Sequence, residues 1–130
     1  MVIDTSALVA IMQNEPNATR LVAAIEQSSV RLISAGTVIE AALVLLGRFG
    51  ERGEVQLDAL LRSFSAEIVA VDGDHVAFAR DAARTFGRSR HKAALNFGDC
   101  FSYALAVSRG EPLLFVGDDF AKTDVSAVAW

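Results

Sequence analysis

Apolar positions along the chain fall into short unbroken runs and longer helical stripes. Val2 and Ile3 form a brief run that stops at Asp4, and Ser6 to Gln13 follows as a short helix behind a Thr/Ser start. Pro16 takes the place of a first-turn proline for a helix to about Gln27, with Leu21, Val22 and Ile25 on one face. Val30 to Ser34 predicts a second strand. From Thr37 the pattern is helical to about Phe49 and is closed by Gly50; Leu57, Leu60, Leu61 and Phe64 then recur at helical spacing within Val55 to Phe64. Those two helices predict a hairpin. Ile68 to Val71 predicts a third strand. A helix follows from Asp74 to about Gly87, with Val76, Ala79, Ala83 and Phe86 as its apolar stripe and His75 an exposed first-turn residue. Arg88 to Leu95 reads as a loop, Asp99 to about Arg109 as a helix stopped by Gly110, and Pro112 to Val116 and Val125 to Trp130 as two further strands.

Strands this uniformly apolar are buried on both faces, so the pattern predicts an α/β sandwich around a mostly parallel sheet of about five strands. The 130 residues hold no repeat or linker, which makes residues 1–130 a single domain. With 52% hydrophobic and 22% charged residues, general disorder is excluded. The longest stretch without a charge, Thr5 to Asn14, is too short to cross a bilayer, and Asp4 precedes any basic residue. A cytoplasmic protein without membrane contact is expected. Cys100 is the one cysteine and His75 and His91 the only histidines, so any bound metal must be held by oxygen ligands.

Twelve Lys and Arg against sixteen Asp and Glu leave a net charge of −4, which argues against a general polyanion-binding surface. The exception is local. Arg80, Arg84, Arg88, Arg90 and Lys92 stand close together with Asp81 as the only acid among them. They are either a solvated helix face with its loop or, in the functional reading, phosphate contacts from Arg88, Arg90 and Lys92.

In an open parallel sheet, ligands bind beyond the carboxyl ends of the strands. Asp4 and Asp118 each follow a predicted strand, Asp99 opens a helix, and Glu40 lies in the apolar run Thr37 to Leu46. Each acid has an ordinary explanation: helix caps at Asp99 and Asp4, a first-turn dipole contact at Glu40, turn residues at Asp118 and Asp119. None explains why a parallel fold would bring all of them to one end. Clustered carboxylates without histidine or cysteine suit a hard cation, Mg²⁺ or Mn²⁺.

Three segments carry a family resemblance. Met1-Val-Ile-Asp-Thr-Ser-Ala-Leu8 resembles the opening motif of PIN-domain nucleases, and Leu95-Asn-Phe-Gly-Asp-Cys-Phe-Ser-Tyr-Ala-Leu-Ala106 resembles their third-acid motif. Leu114-Phe-Val-Gly-Asp-Asp-Phe-Ala-Lys-Thr-Asp124 resembles the closing motif of the VapC toxins within that family. The resemblance implies a three-layer α/β/α sandwich and an endoribonuclease that uses Mg²⁺ or Mn²⁺ to activate water against an RNA phosphodiester. Asp4 and Asp99 would be the principal metal ligands and Glu40 would complete the acidic cluster. Asp118 is preferred as the fourth acid with Asp119 as the fallback, and Ser6 would orient Asp4 or a water. The family also implies a homodimer and a cognate VapB-type antitoxin. Two other readings are a catalytically silent PIN module that binds RNA or protein, and an aspartate-nucleophile phosphatase. The second wants an acid where Ser6 stands.

Overall fold

A computed structural model describes residues 1–130. The strands are β1 (Val2–Ile3), β2 (Leu32–Ser34), β3 (Glu67–Val69) and β4 (Leu113–Leu114). The helices are α1 (Thr5–Met12), α2 (Ala18–Gln27), α3 (Ala35–Phe49), α4 (Glu51–Ser63), α5 (Gly73–Phe86) and α6 (Asp99–Arg109), with a 3₁₀ turn at Phe120–Lys122. The sheet runs β3-β2-β1-β4 and every pairing is parallel.

Neighbouring residues on one strand point to opposite faces, and here both faces are dry. Ile3, Ile33 and Leu114 enter one core with Leu8, Leu21, Ile25, Leu45, Leu57 and Leu61 from α1 to α4. Val2, Leu32, Leu113 and Val69 enter a second with Leu95, Tyr103, Leu105 and Phe120 on the α5–α6 side. Two cores separated by a parallel sheet make the α/β/α sandwich that the unbroken apolar strands predicted. The order also fixes where a ligand can sit. The chain steps from β1 to β2 to β3 in one direction, then returns to place β4 on the other side of β1. The switch point therefore lies between the carboxyl ends of β1 and β4.

Several details correct the sequence reading. The sheet has four strands, not about five: Val125 to Trp130 makes only a parallel bridge, Ala127 to Leu113, because β4 is two residues long and offers one residue to pair with. Pro16 lies in a turn ahead of the Asn17 N-cap instead of in the first turn of α2. Helix α3 starts two residues before Thr37, where the Ser34 hydroxyl caps the Gly36 N–H. Helix α4 starts at Glu51 directly after Gly50, whose φ of 65° makes the whole α3–α4 connection in one residue. On α5 the buried residues are His75 and Ala82, whereas Val76 and Ala83 face an open groove. His75 is buried because its ring folds back over the helix start, with Nδ1 3.1 Å from the Ala70 carbonyl.

Candidate active site

Asp4 follows β1 immediately and is only 3% exposed. It does cap α1: Oδ2 accepts from the Ser6 N–H at 2.9 Å and from the Ser6 hydroxyl at 2.6 Å. The Ser6 oxygen in turn accepts the Val116 N–H at 3.0 Å, so one hydroxyl ties the end of β1 to the segment leaving β4. Oδ1 is buried and has no partner. A carboxylate oxygen left dry and unpaired is costly, so this atom marks where a cation or donor belongs.

Asp99 repeats the arrangement on α6. Its Oδ2 accepts the Asn96 N–H at 2.7 Å, while Asn96 Oδ1 accepts the Asp99 N–H at 3.0 Å. The helix starts at Asp99 behind Gly98, and just ahead of it Asn96 and Asp99 each accept the other's backbone N–H, a reciprocal exchange of the kind a capping box makes. One oxygen is fixed by backbone and the other remains available. Burial pushes the Asp99 carboxyl up to about 6; the Asn96 N–H opposes the shift, and the charges of Asp4, Glu40 and Asp119 add to it. Those three charges show which acids share a field with Asp99.

Glu40 reaches the group from α3. Thr5 donates its hydroxyl to Glu40 Oε2 at 2.6 Å. The same carboxylate lies against Gly98, where a Cβ would come within 1.9 Å of Oε1, so no other residue fits at 98 without displacing it. Below the acids, Thr37 and Ser102 pair their hydroxyls at 3.0 Å with both residues fully buried, joining α3 to α6 one turn from Glu40 and Asp99. Asp118 and Asp119 are exposed on the turn after β4, entered through Gly117 at φ 108°.

Asp4, Glu40 and Asp99 thus stand together at the switch point, with Ser6 beneath Asp4, and Asp119 adds its charge from the turn after β4. The acids do not close into a preformed cage of three or more ligands. That openness fits Mg²⁺, which keeps several waters and takes one or two carboxylates together with substrate phosphate oxygens. Cys100 lies beside the acids but is buried, gives its Sγ–H to the Asn96 carbonyl at 3.2 Å, and has its thiol pushed up by burial and by Asp99. It is a packing residue. Sequence reasoning did not single out Thr5, Asn96 or Gly98. The Asn96–Asp99 spacing carries a capping-box signal, but the contacts of Thr5 and Gly98 with Glu40 cross from one element to another.

Arg88, Arg90 and Lys92 are exposed on the turns after α5 and form no ion pair, nor does Arg80; Arg84 is spent on Asp81. Arg88 and Arg80 line a groove of about 480 Å³ between α5 and α6 that reaches Asn96 and Phe97, next to the acids.

An acidic switch point on a parallel sheet under two helical layers defines the class, and residues 1–126 match the sequence model of the PIN domain. The chain is 52% identical over 129 residues to Ribonuclease VapC30 of Mycobacterium tuberculosis, covering 99% of this chain and 98% of the relative. It is equally 52% identical over 128 residues to Ribonuclease VapC of Mycolicibacterium smegmatis, covering 98% and 99%. Among solved structures, Mycobacterium tuberculosis VapC20, described as a sarcin-ricin loop cleaving toxin, superposes with a TM-score of 0.79 at 21% identity, covering 98% of this chain and 97% of that one. VapBC2 of Rickettsia felis, solved on a DNA fragment from its promoter, superposes with a TM-score of 0.76 at 13% identity, covering 99% and 97%. At these identities the two structures speak for the fold. The chain belongs to the PIN-domain family, within its VapC-type ribonucleases.

Proposed function

We propose that this protein is the endoribonuclease toxin of a toxin–antitoxin pair, acting in the cytoplasm and dependent on Mg²⁺ or Mn²⁺. The observation that carries the reading is the matched state of Asp4 and Asp99. Each fixes one carboxylate oxygen through a backbone N–H and leaves the other free at the switch point. Asp4 and Asp99 would hold the cation, and Glu40 would complete the acidic cluster from α3. The fourth acid comes from the Asp118–Asp119 turn, with Asp119 the one whose charge reaches Asp99. When bound, the cation supplies Lewis acidity and makes its water more acidic, which is what in-line hydrolysis of a phosphodiester needs.

The chain's own residues do the placing. Ser6 holds Asp4 in one rotamer, Asn96 does the same for Asp99, and Thr5 with Gly98 sets the height of Glu40. Arg88, Arg90 and Lys92 supply phosphate contacts in a chain whose net charge would otherwise repel RNA. The cognate VapB-type antitoxin and a second copy of this chain are the proposed protein partners. Ile39 and Leu43 on the outer side of α3 are 62% and 64% exposed, an apolar face of the kind that binding covers.

The test is cleavage of a panel of structured RNAs by protein freed of any antitoxin, with Mg²⁺ or Mn²⁺, with chelator, and with Asp99→Asn alongside. Metal-dependent cuts lost in the variant support the reading. A folded protein that binds Mg²⁺ and RNA but cuts nothing in the panel sinks it in favour of the silent binding module.

A further inference from the structure

Phe97 is 82% exposed, more than any other large apolar side chain of the molecule. It stands two residues before Asp99, next to the glycine that carries Glu40's carboxylate. Its one aromatic neighbour is Phe101, at 4.9 Å between centroids and nearly perpendicular. A single edge-to-face contact covers at most one side of a ring, so Phe97 turns a flat face to water. The ring also borders the α5–α6 groove that contains Arg88 and Arg80, two guanidiniums without a carboxylate partner.

The acids and the cation they would hold engage only the phosphate to be cut. The flanking nucleotides need contacts beside the acids, through local cations and through groups that carry no charge. Stacking of a base on an aromatic face is such a contact, and unstacked single-stranded RNA is the form that offers its bases for it. We propose that Phe97 is a base-stacking platform: one unstacked base of the substrate lies on its ring while Arg88 and Arg80 take flanking phosphates, which delivers the adjoining backbone to Asp4 and Asp99. The inference rests on the nuclease reading and adds the recognition residue to it. A protein segment in the same groove would use Val76, Ala79 and Ala83 but would leave both guanidiniums unpaired unless it brought acids of its own.

The experiment uses full-length protein carrying Asp99→Asn, so that binding is read without cleavage. Phe97→Leu and Phe97→Trp are added separately, and affinity for a short fluorescent single-stranded oligoribonucleotide is measured. A scan with one abasic nucleotide at each position follows. Because the side chain is exposed, the melting temperature should not move. Loss of stacking predicts roughly tenfold weaker binding for Phe97→Leu and retained binding for Phe97→Trp. One abasic position should weaken binding to Phe97 protein by the same factor and leave Phe97→Leu protein unchanged. If the Asp99→Asn protein binds RNA but Phe97→Leu binds equally well, or no abasic position couples to residue 97, the platform is refuted while the nuclease reading stands. RNA binding untouched together with lost antitoxin binding would assign Phe97 to the protein partner. No RNA binding by the Asp99→Asn parent, together with no cleavage of the same RNA by wild-type protein with Mg²⁺ or Mn²⁺, would bring down both readings.

Discussion

At the scale of single residues, the two central aspartates share one state: Asp4 and Asp99 each give one carboxylate oxygen to a backbone N–H and keep the other. Asp4 and Asp99 were legible in the sequence because they sit at a strand end and a helix start, whereas Glu40, read as a first-turn residue, lies in the second turn because α3 starts at Ala35. What was not legible is Gly98, whose need arises only from contact with Glu40, 58 positions earlier in the chain, where a Cβ would meet Oε1 at 1.9 Å. Gly98→Ala should therefore displace Glu40 and lower the cleavage rate by about a hundredfold, the cost of a displacement near 1 Å at a reacting centre. Glu40→Asp in the same chain, one methylene shorter, should restore part of it; single-turnover rates of the parent and the two variants check this. The raised Asp99 carboxyl gives a second prediction. Its folded pKa of about 6 lies above the ordinary 3.8, so the metal-free protein binds the extra proton in the folded state. Stability without metal should fall as pH rises from about 4 to 6. Mg²⁺ affinity should rise over the same interval, because the cation must displace that proton. Thermal melts with and without Mg²⁺ across that range read both slopes, and Asp99→Asn should flatten them.

At the scale of elements, the acids are only as well placed as the helices that carry them. Helices α3 and α6 are registered by the Thr37–Ser102 hydroxyl pair, buried in an otherwise apolar contact. Removing either hydroxyl alone strands its partner, and each of Thr37→Val and Ser102→Ala should cost about 1–3 kcal/mol. The double variant should cost clearly less than the sum, since replacing both polar groups leaves nothing unsatisfied. Urea midpoints for the four proteins decide this. Element types came through from periodicity, because runs such as Leu57, Leu60, Leu61 and Phe64 bury one face whatever they pack against. Boundaries and the α5 stripe did not. Val76 and Ala83 satisfy the helical spacing as well as Ala82 does, and only the placement of α6 decides that the groove, not the core, receives them. The same limit holds for His75, whose burial depends on a carbonyl five residues back that the apolar pattern does not register.

For the whole molecule, the decisive feature is that β4 returns to the far side of β1 and so creates the switch point. No local pattern encodes that pairing. It was inferable only from the general preference of parallel sheets and from the motif resemblance, and the short β4 is why the final segment forms a bridge in place of a fifth strand. The same global view resolves the conflict between a net charge of −4 and a polyanionic substrate. Arg80, Arg88, Arg90 and Lys92 are unpaired and lie on the α5 side and the turns that follow it, whereas Arg84 pairs with Asp81. Charge is thus segregated, with cations flanking a carboxylate centre, and association with RNA should be steered to one side of the acids. Each phosphate contact adds about 0.7 to the slope of log affinity against log salt for a single strand. Reversing Arg88 and Arg90 to Glu in the Asp99→Asn protein should accordingly weaken binding at low salt and reduce that slope by at least about 1.4, because two contacts are removed and two repulsions added. Reversing Arg84, already spent on Asp81, should change the slope far less. Equal slopes for the two reversals would mean that the unpaired cations are merely a solvated face, and that RNA reaches the acids by another path.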